Sequence, residues 1–150
     1  MLPLKKESII LELKASSKEG ILRELAALAA VACGRFTEEI LYHVLLEREA
    51  VGSTGVGNGV ALPHGKIDGL GDILLCFGRS RAGLNFDAID NRPVHLFVLL
   101  LSPAAKAAEY LQALAWVSKM LKQPAIRQQL LDSATKEEVV ALFSANLGAT

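Results

Sequence analysis

The sequence predicts a single α/β domain built on a mixed β-sheet that is covered on both faces. Three observations carry this. Two near-continuous apolar runs, Ile73 to Arg79 and Val94 to Leu101, read as strands buried on both sides. Segments with apolar residues at helical spacing lie before and after them. The order is strand, two helices, several strands, then three helices, with no internal repeat or low-complexity linker, which fits one layered α/β unit. The 150 residues (16.0 kDa) fit one domain spanning 1–150, because domains cluster near ~100–150 residues.

Ser8 to Leu13 is short and aliphatic and predicts a first strand. Ser16-Ser17-Lys18-Glu19 has capping-box spacing, a hydroxyl followed three residues on by Glu. The helix it opens places Ile21, Leu22, Leu25, Leu28, Ala29 and Ala32 on one face and stops at Gly34. Thr37 caps a second helix reaching about Glu49, with Ile40, Leu41, Val44 and Leu45 inward. Val51 to Gly65 is glycine-rich and almost uncharged. Gly83, Asp87, Asp90 and Asn91 mark turns between the two long strands, and Pro103 closes the second. A helix over about Ala107 to Lys122 places Leu111, Leu114, Ala115 and Leu121 at helical spacing before Pro124 breaks it. A short helix with Ile126, Leu130 and Leu131 follows. Thr135-Lys136-Glu137-Glu138 repeats the capping-box spacing and opens a last helix through Leu147.

Composition narrows the function classes. A chain that is 51% hydrophobic and 21% charged is not disordered. Sixteen basic and 16 acidic residues balance, which argues against nucleic acid as a partner. Charges at Glu7, Glu12 and Lys14 interrupt the N-terminal segment, so it does not read as a signal peptide. No apolar run approaches the ~20 residues that span a bilayer, so membrane insertion is not expected. Cys33 and Cys76 have no CxxC or Cys/His neighbourhood. They read as buried free thiols, a usage that fits a reducing cytoplasm.

The informative stretch is Gly52 to Lys66. It is not a P-loop, because Gly65-Lys66 is followed by Ile67 and Val60 stands where the first glycine belongs. GxGxxG fails too, since its third glycine falls on Val60 or Leu62. Its glycines allow close approach of backbone to another group, and clustered N–H groups with the Ser53 and Thr54 hydroxyls suit an anion. Pro63 fixes its own φ and holds Leu62 extended, so His64 is presented between a rigid and a permissive neighbour. An ordinary imidazole pKa near ~6.5 leaves a neutral, nucleophilic nitrogen at physiological pH.

Arg48-Glu49, the glycine-rich run and Ala61-Leu62-Pro63-His64-Gly65 together resemble the signature of the fructose/mannitol-type enzyme IIA family of the bacterial phosphotransferase system. Leu84 to Val94, with Leu99-Leu100-Leu101-Ser102-Pro103, resembles its nitrogen-regulatory branch. The likeness runs from about Ser8 to Leu147. It implies the three-layer fold of mannitol-type enzyme IIA. It also implies that His64 accepts phosphate from the carrier HPr or its nitrogen-branch counterpart NPr, and that Arg48 lies beside His64. There a guanidinium stabilises phosphoryl oxygens; otherwise Arg48 is a helix-end charge paired with Glu47 or Glu49. Ser53 and Thr54 are candidates for phosphate contact, or ordinary turn residues. Tyr110 stands where many members carry a second histidine. It either donates a hydrogen bond to phosphate or covers the apolar face of its helix.

The remaining polar residues read as structural. His43 suits a surface pair with Glu47, His95 a half-buried strand position and Trp116 helix packing. Asp87 and Asp90 read as turn residues. Neither a metal nor a cofactor is implied. Three functions are carried forward. One is a phosphocarrier that regulates protein targets by its phosphorylation state. The second is a sugar-specific component that passes phosphate to a IIB protein. The third is a binding module that is not phosphorylated.

Overall fold

The computed structural model describes residues 3–147. Its sheet has six strands: β1 (Ile9–Ile10), β2 (Gly55–Gly57), β3 (Val60–Ala61), β4 (His64–Lys66), β5 (Leu74–Leu84) and β6 (Val94–Ser102). The order is β1-β5-β6-β3-β2, with β4 also paired to β6. β5 and β6 are antiparallel, while β1 on β5 and both β3 and β4 on β6 are parallel, so the sheet is mixed. β3 and β4 occupy consecutive stretches of β6, opposite Leu96-Phe97 and Leu100 to Ser102. Leu62-Pro63 interrupts them, which follows from proline's missing N–H.

The five helices are α1 (Lys18–Cys33), α2 (Glu38–Val51), α3 (Ala107–Leu121), α4 (Pro124–Asp132) and α5 (Lys136–Asn146). They form the outer two layers. Alternation along β6 shows how: Leu96, Val98 and Leu100 join a core with Tyr110, Val117, Leu130 and Phe143 from α3, α4 and α5. Phe97, Leu99 and Leu101 join a core with Leu22, Leu25, Leu41 and Leu45 from α1 and α2. Both faces are covered by apolar side chains, which explains a strand with no polar alternation.

Local signals account for most boundaries. Thr37 Oγ1 accepts from the Ile40 N–H at the start of α2, and Thr135 Oγ1 accepts from the Glu138 N–H at the start of α5. Gly34 ends α1 at φ 65°, a left-handed conformation that glycine adopts without a Cβ penalty. Pro124 begins α4.

Some expectations are corrected. The cap of α1 is Ser17, which accepts from the Gly20 N–H, not Ser16 with Glu19. Glu24 explains the shift: its carboxylate binds the Lys14 and Ala15 N–H groups and keeps the chain extended up to the helix. The first strand shrinks to two residues. Ile40 is 46% and Leu111 65% exposed, and Ala115 is also exposed. The buried face of α3 is Tyr110, Ala113, Val117, Met120 and Leu121, and Leu114 is partly buried. Apolar residues on both sides of that helix blur its period. Gly83 lies within β5, where its register with β6 is irregular. Cys76 is buried, and burial pushes its thiol up to about 12, but Cys33 is only half-buried. No helix among the described residues is long and apolar enough to cross a membrane.

Candidate functional site

His64 is the first residue of β4, directly after Pro63. Its Nδ1 lies 2.6 Å from the Leu62 carbonyl oxygen. A carbonyl only accepts, so Nδ1 carries the proton and Nε2 carries the lone pair. Arg48, in the last turn of α2, donates from Nε to that Nε2 at 3.3 Å and from Nη1 to the Gly52 carbonyl at 2.8 Å. The sequence-predicted pair is therefore brought together, and the guanidinium forms no ion pair with Glu47 or Glu49. Burial, chiefly, holds the His64 pKa below its ordinary 6.5. The Leu62 carbonyl and the Glu49 charge oppose that shift, and the Arg48 charge adds to it.

Close approach of α2 to β4 needs Gly65. A Cβ there would stand 2.7 Å from Val44 Cγ1.

Glu49, next to Arg48, is turned inward with only 5% of its side chain exposed. Its carboxylate accepts from the Thr54 N–H at 3.0 and 3.1 Å and from the Thr54 hydroxyl. Lys18 Nζ sits 2.8 Å from it and 4.8 Å from the centre of the Phe86 ring. Consecutive residues of α2 thus hold both the histidine and the start of the glycine-rich loop. Ser53 donates to the Phe86 carbonyl and accepts from the Gly55 N–H, both at 3.0 Å. The hydroxyl protons of Ser53 and Thr54 are both committed within the protein in this arrangement.

The Leu84-to-Val94 segment, distant in sequence, packs beside this loop. The Ile89 N–H donates to the Gly55 carbonyl, and the Asp90 carboxylate accepts from the Asn58 and Arg92 N–H groups. Asp90 is held below the usual carboxylate range, first by the Arg92 N–H. Asp90 is thus a turn-stabilising residue, and Asp87 lies 3.8 Å from Lys18.

Tyr110 comes to His64 from α3, ring centres 6.2 Å apart. It is 4% exposed and belongs to the core, so it does cover the apolar face of its helix. Burial pushes its hydroxyl up to about 12, which keeps it a protonated donor. Lys66 approaches the same ring, its Nζ 5.9 Å from the centre.

The other histidines lie apart from these contacts. His43 pairs with Glu39 rather than Glu47. His95 is half-buried, with Nδ1 3.0 Å from the Ser80 carbonyl. Trp116 packs partly buried against the α3-side core. Sequence reasoning missed Lys18 and the inward role of Glu49. Lys18 appeared only as part of a helix start, and no local pattern links it to a glutamate on the next helix.

The geometry meets its relatives at this point. Residues 2–146 match the model of the family described as phosphoenolpyruvate-dependent sugar phosphotransferase system, EIIA 2, and the chain belongs to that family. It is thereby a phosphotransferase-system domain with a phosphocarrier role. Within the family it is of the nitrogen-regulatory IIA type. A nitrogen regulatory protein of Bradyrhizobium diazoefficiens is 38% identical over 138 residues, 92% of this chain and 90% of that one. A crystal structure of the nitrogen regulatory protein IIA-Ntr from Neisseria meningitidis matches with a TM-score of 0.88 at 33% identity, covering 93% of this chain and 94% of that one. A fructose-specific EIIA component of Haloferax volcanii is also 38% identical, over 134 residues, 89% of this chain and 86% of that one. IIA mannitol of Escherichia coli, at 22% identity and a TM-score of 0.78, shares the fold.

Proposed function

We propose that His64 is the phosphoacceptor of a single domain spanning 1–150, that it is charged by HPr or NPr in the cytoplasm, and that its phosphorylation state regulates protein targets. The observation that carries this reading is the fixed tautomer. Nδ1 is held by the Leu62 carbonyl, and Nε2 is left as a nucleophile facing Arg48. In the transfer, the P–N bond of the donor's phosphohistidine breaks and its ring nitrogen keeps the electron pair. A P–Nε2 bond forms on His64. The proton stays on Nδ1, and the Leu62 carbonyl that accepts from it offsets the positive charge gained by the ring. Arg48 leaves the lone pair and takes up the phosphoryl oxygens, where catalysis is largely positioning and charge stabilisation. No cofactor is needed.

Ser53 and Thr54 serve phosphate binding by shaping the loop, and direct donation from either requires exchange of an existing bond. Tyr110 offers a hydroxyl in place of an imidazolium. A doubly charged phosphoryl group on His64 alters what docks there, a local switch with a binding readout.

A second reading is a sugar-type IIA that hands phosphate to a IIB protein. The equal identity to the Haloferax fructose-specific component supports it. Phosphorylation from phosphoenolpyruvate through enzyme I and HPr or NPr, read by intact mass, tests the first reading. Wild type is expected to gain one acid-labile phosphate and His64→Ala none. A His64→Ala protein charged as fast as wild type would overturn the assignment. Loss of the phosphate on adding IIB proteins would favour the second reading. An uncharged wild type would favour a binding module.

A further inference from the structure

The charge around His64 is not complete with Arg48. Gly65 fixes which way its neighbours point, since a Cβ on it would meet Val44 of α2 and Leu101. Successive strand residues face opposite sides, so His64 and Lys66 share the other face, toward α3. Tyr110 bears this out: its ring lies 6.2 Å from the His64 ring and 5.9 Å from Lys66 Nζ. Residues two apart on a strand are about 7 Å apart along the chain, within the reach of a lysine stem.

Lys66 is also free of the ion pairing that engages three other lysines. Lys6, Lys18 and Lys106 hold Glu137, Glu49 and Asp72. Among the described residues, no carboxylate lies within ion-pair distance of Lys66. Nor is there a free anion beside His64 to attract it, because Glu49 is turned inward and neutralised by Lys18. The Tyr110 hydroxyl stays protonated and contributes no charge. An exposed, unpaired ammonium shares a strand face with His64 and lies beside the buried Tyr110 ring.

We propose that Lys66 is a second phosphoryl-binding cation of this site, contacting the phosphoryl oxygens alongside Arg48 as the group moves from the donor's phosphohistidine to His64. This rests on His64 being the phosphoacceptor. Lys66 exchanges no proton and supplies charge and N–H donors only.

The test compares wild type, Lys66→Gln, Lys66→Arg and His64→Ala, each as the full chain. The first readout is single-turnover charging by phosphorylated HPr or NPr over a range of donor concentrations. The second is a ³¹P NMR titration of the isolated phosphorylated proteins. Lys66→Gln is expected to slow charging at saturating donor by roughly 10- to 100-fold, the loss of one charge-assisted hydrogen bond. Lys66→Arg is expected to restore most of the rate. The last ionisation of the phosphoryl group is expected to move up in Lys66→Gln, because a nearby cation favours the dianion. A merely structural or docking role would not move it. A Lys66→Gln protein that stays uncharged while Lys66→Arg charges is the same result in the extreme.

Wild-type charging by Lys66→Gln overturns the proposal. So does a defect that disappears at saturating donor with an unchanged ³¹P titration, which marks a docking charge. Wild type that takes no phosphate, or His64→Ala that takes as much, overturns the phosphoacceptor reading and this one with it.

Discussion

Glu49 and Arg79 are both charged and both withdrawn from water, at 5% and 2% exposure. Their partners differ. Glu49 meets an opposite charge, Lys18, and spends its remaining capacity on the Thr54 N–H and hydroxyl. Arg79 meets no carboxylate among the described residues. Its Nε donates to the Leu11 carbonyl at 3.0 Å, and Nη1 donates to those of Leu130 at 3.0 Å and Ser133 at 2.7 Å. Burial draws its pKa below the ordinary arginine value. One buried ion secures the start of the glycine-rich loop that leads to His64, and the other stitches the end of α4 to the sheet. The contrast teaches that burial of a charge does not mark a functional site; what the charge holds does.

The largest expected effect breaks the comparison at its structural end. Arg79→Met removes the guanidinium that donates to four carbonyls, those of Leu11, Leu130, Leu131 and Ser133, and should lower stability by about 3 kcal/mol in urea unfolding. Phosphorylation per folded molecule should stay at the wild-type level. A charging defect in the folded fraction would erase the distinction.

Glu49→Gln sharpens the other end. It removes the partner of Lys18 and weakens the hold on Thr54, for a stability loss of about 1–2 kcal/mol. Charging of folded protein should fall about 10-fold, since the loop and Arg48 share one helix end. Equal effects on stability and on folded-state rate in both variants would show that the two buried ions play one role.

A smaller effect concerns protons. The His64 pKa is below 6.5 in the folded protein, so the unfolded chain binds the proton first as pH falls. The stability this group contributes is present above pH 6.5 and is lost below it as the folded value is approached. Charging should persist into that acidic range. Arg48→Gln should raise the His64 pKa in an NMR titration, because the guanidinium charge helps to lower it. An unchanged or lower value would contradict the short Arg48–His64 contact.

Much of this architecture was legible because its signals are local. Thr37, Gly34, Pro124 and Thr135 punctuate helices through their own side chains or φ preferences. β6 announces a sheet covered on both faces by having no polar alternation. The face of α3 was misread because Leu111 and Ala115 repeat at helical spacing beside Tyr110, Ala113, Leu114 and Val117, and only packing decides. His64 stood out through Pro63 beside it. Arg48 reached it through the resemblance, since no spacing rule places an arginine of α2 next to a residue of β4. That contact depends on a chain reversal and on the missing side chain of Gly65. Lys18 to Glu49 was illegible for the same reason: it is a tertiary pair between two helices.

The partner of His64 Nδ1 is a main-chain oxygen two residues back, not a side chain. In evolutionary terms that acceptor is beyond the reach of point substitution. Whatever residue replaces Leu62 still carries the carbonyl, so the tautomer is inherited with the turn. The other contact to the ring, from Arg48, is a side chain and open to drift. A lineage can therefore retune how this imidazole handles charge, or lose the transfer altogether, while the ring keeps its orientation.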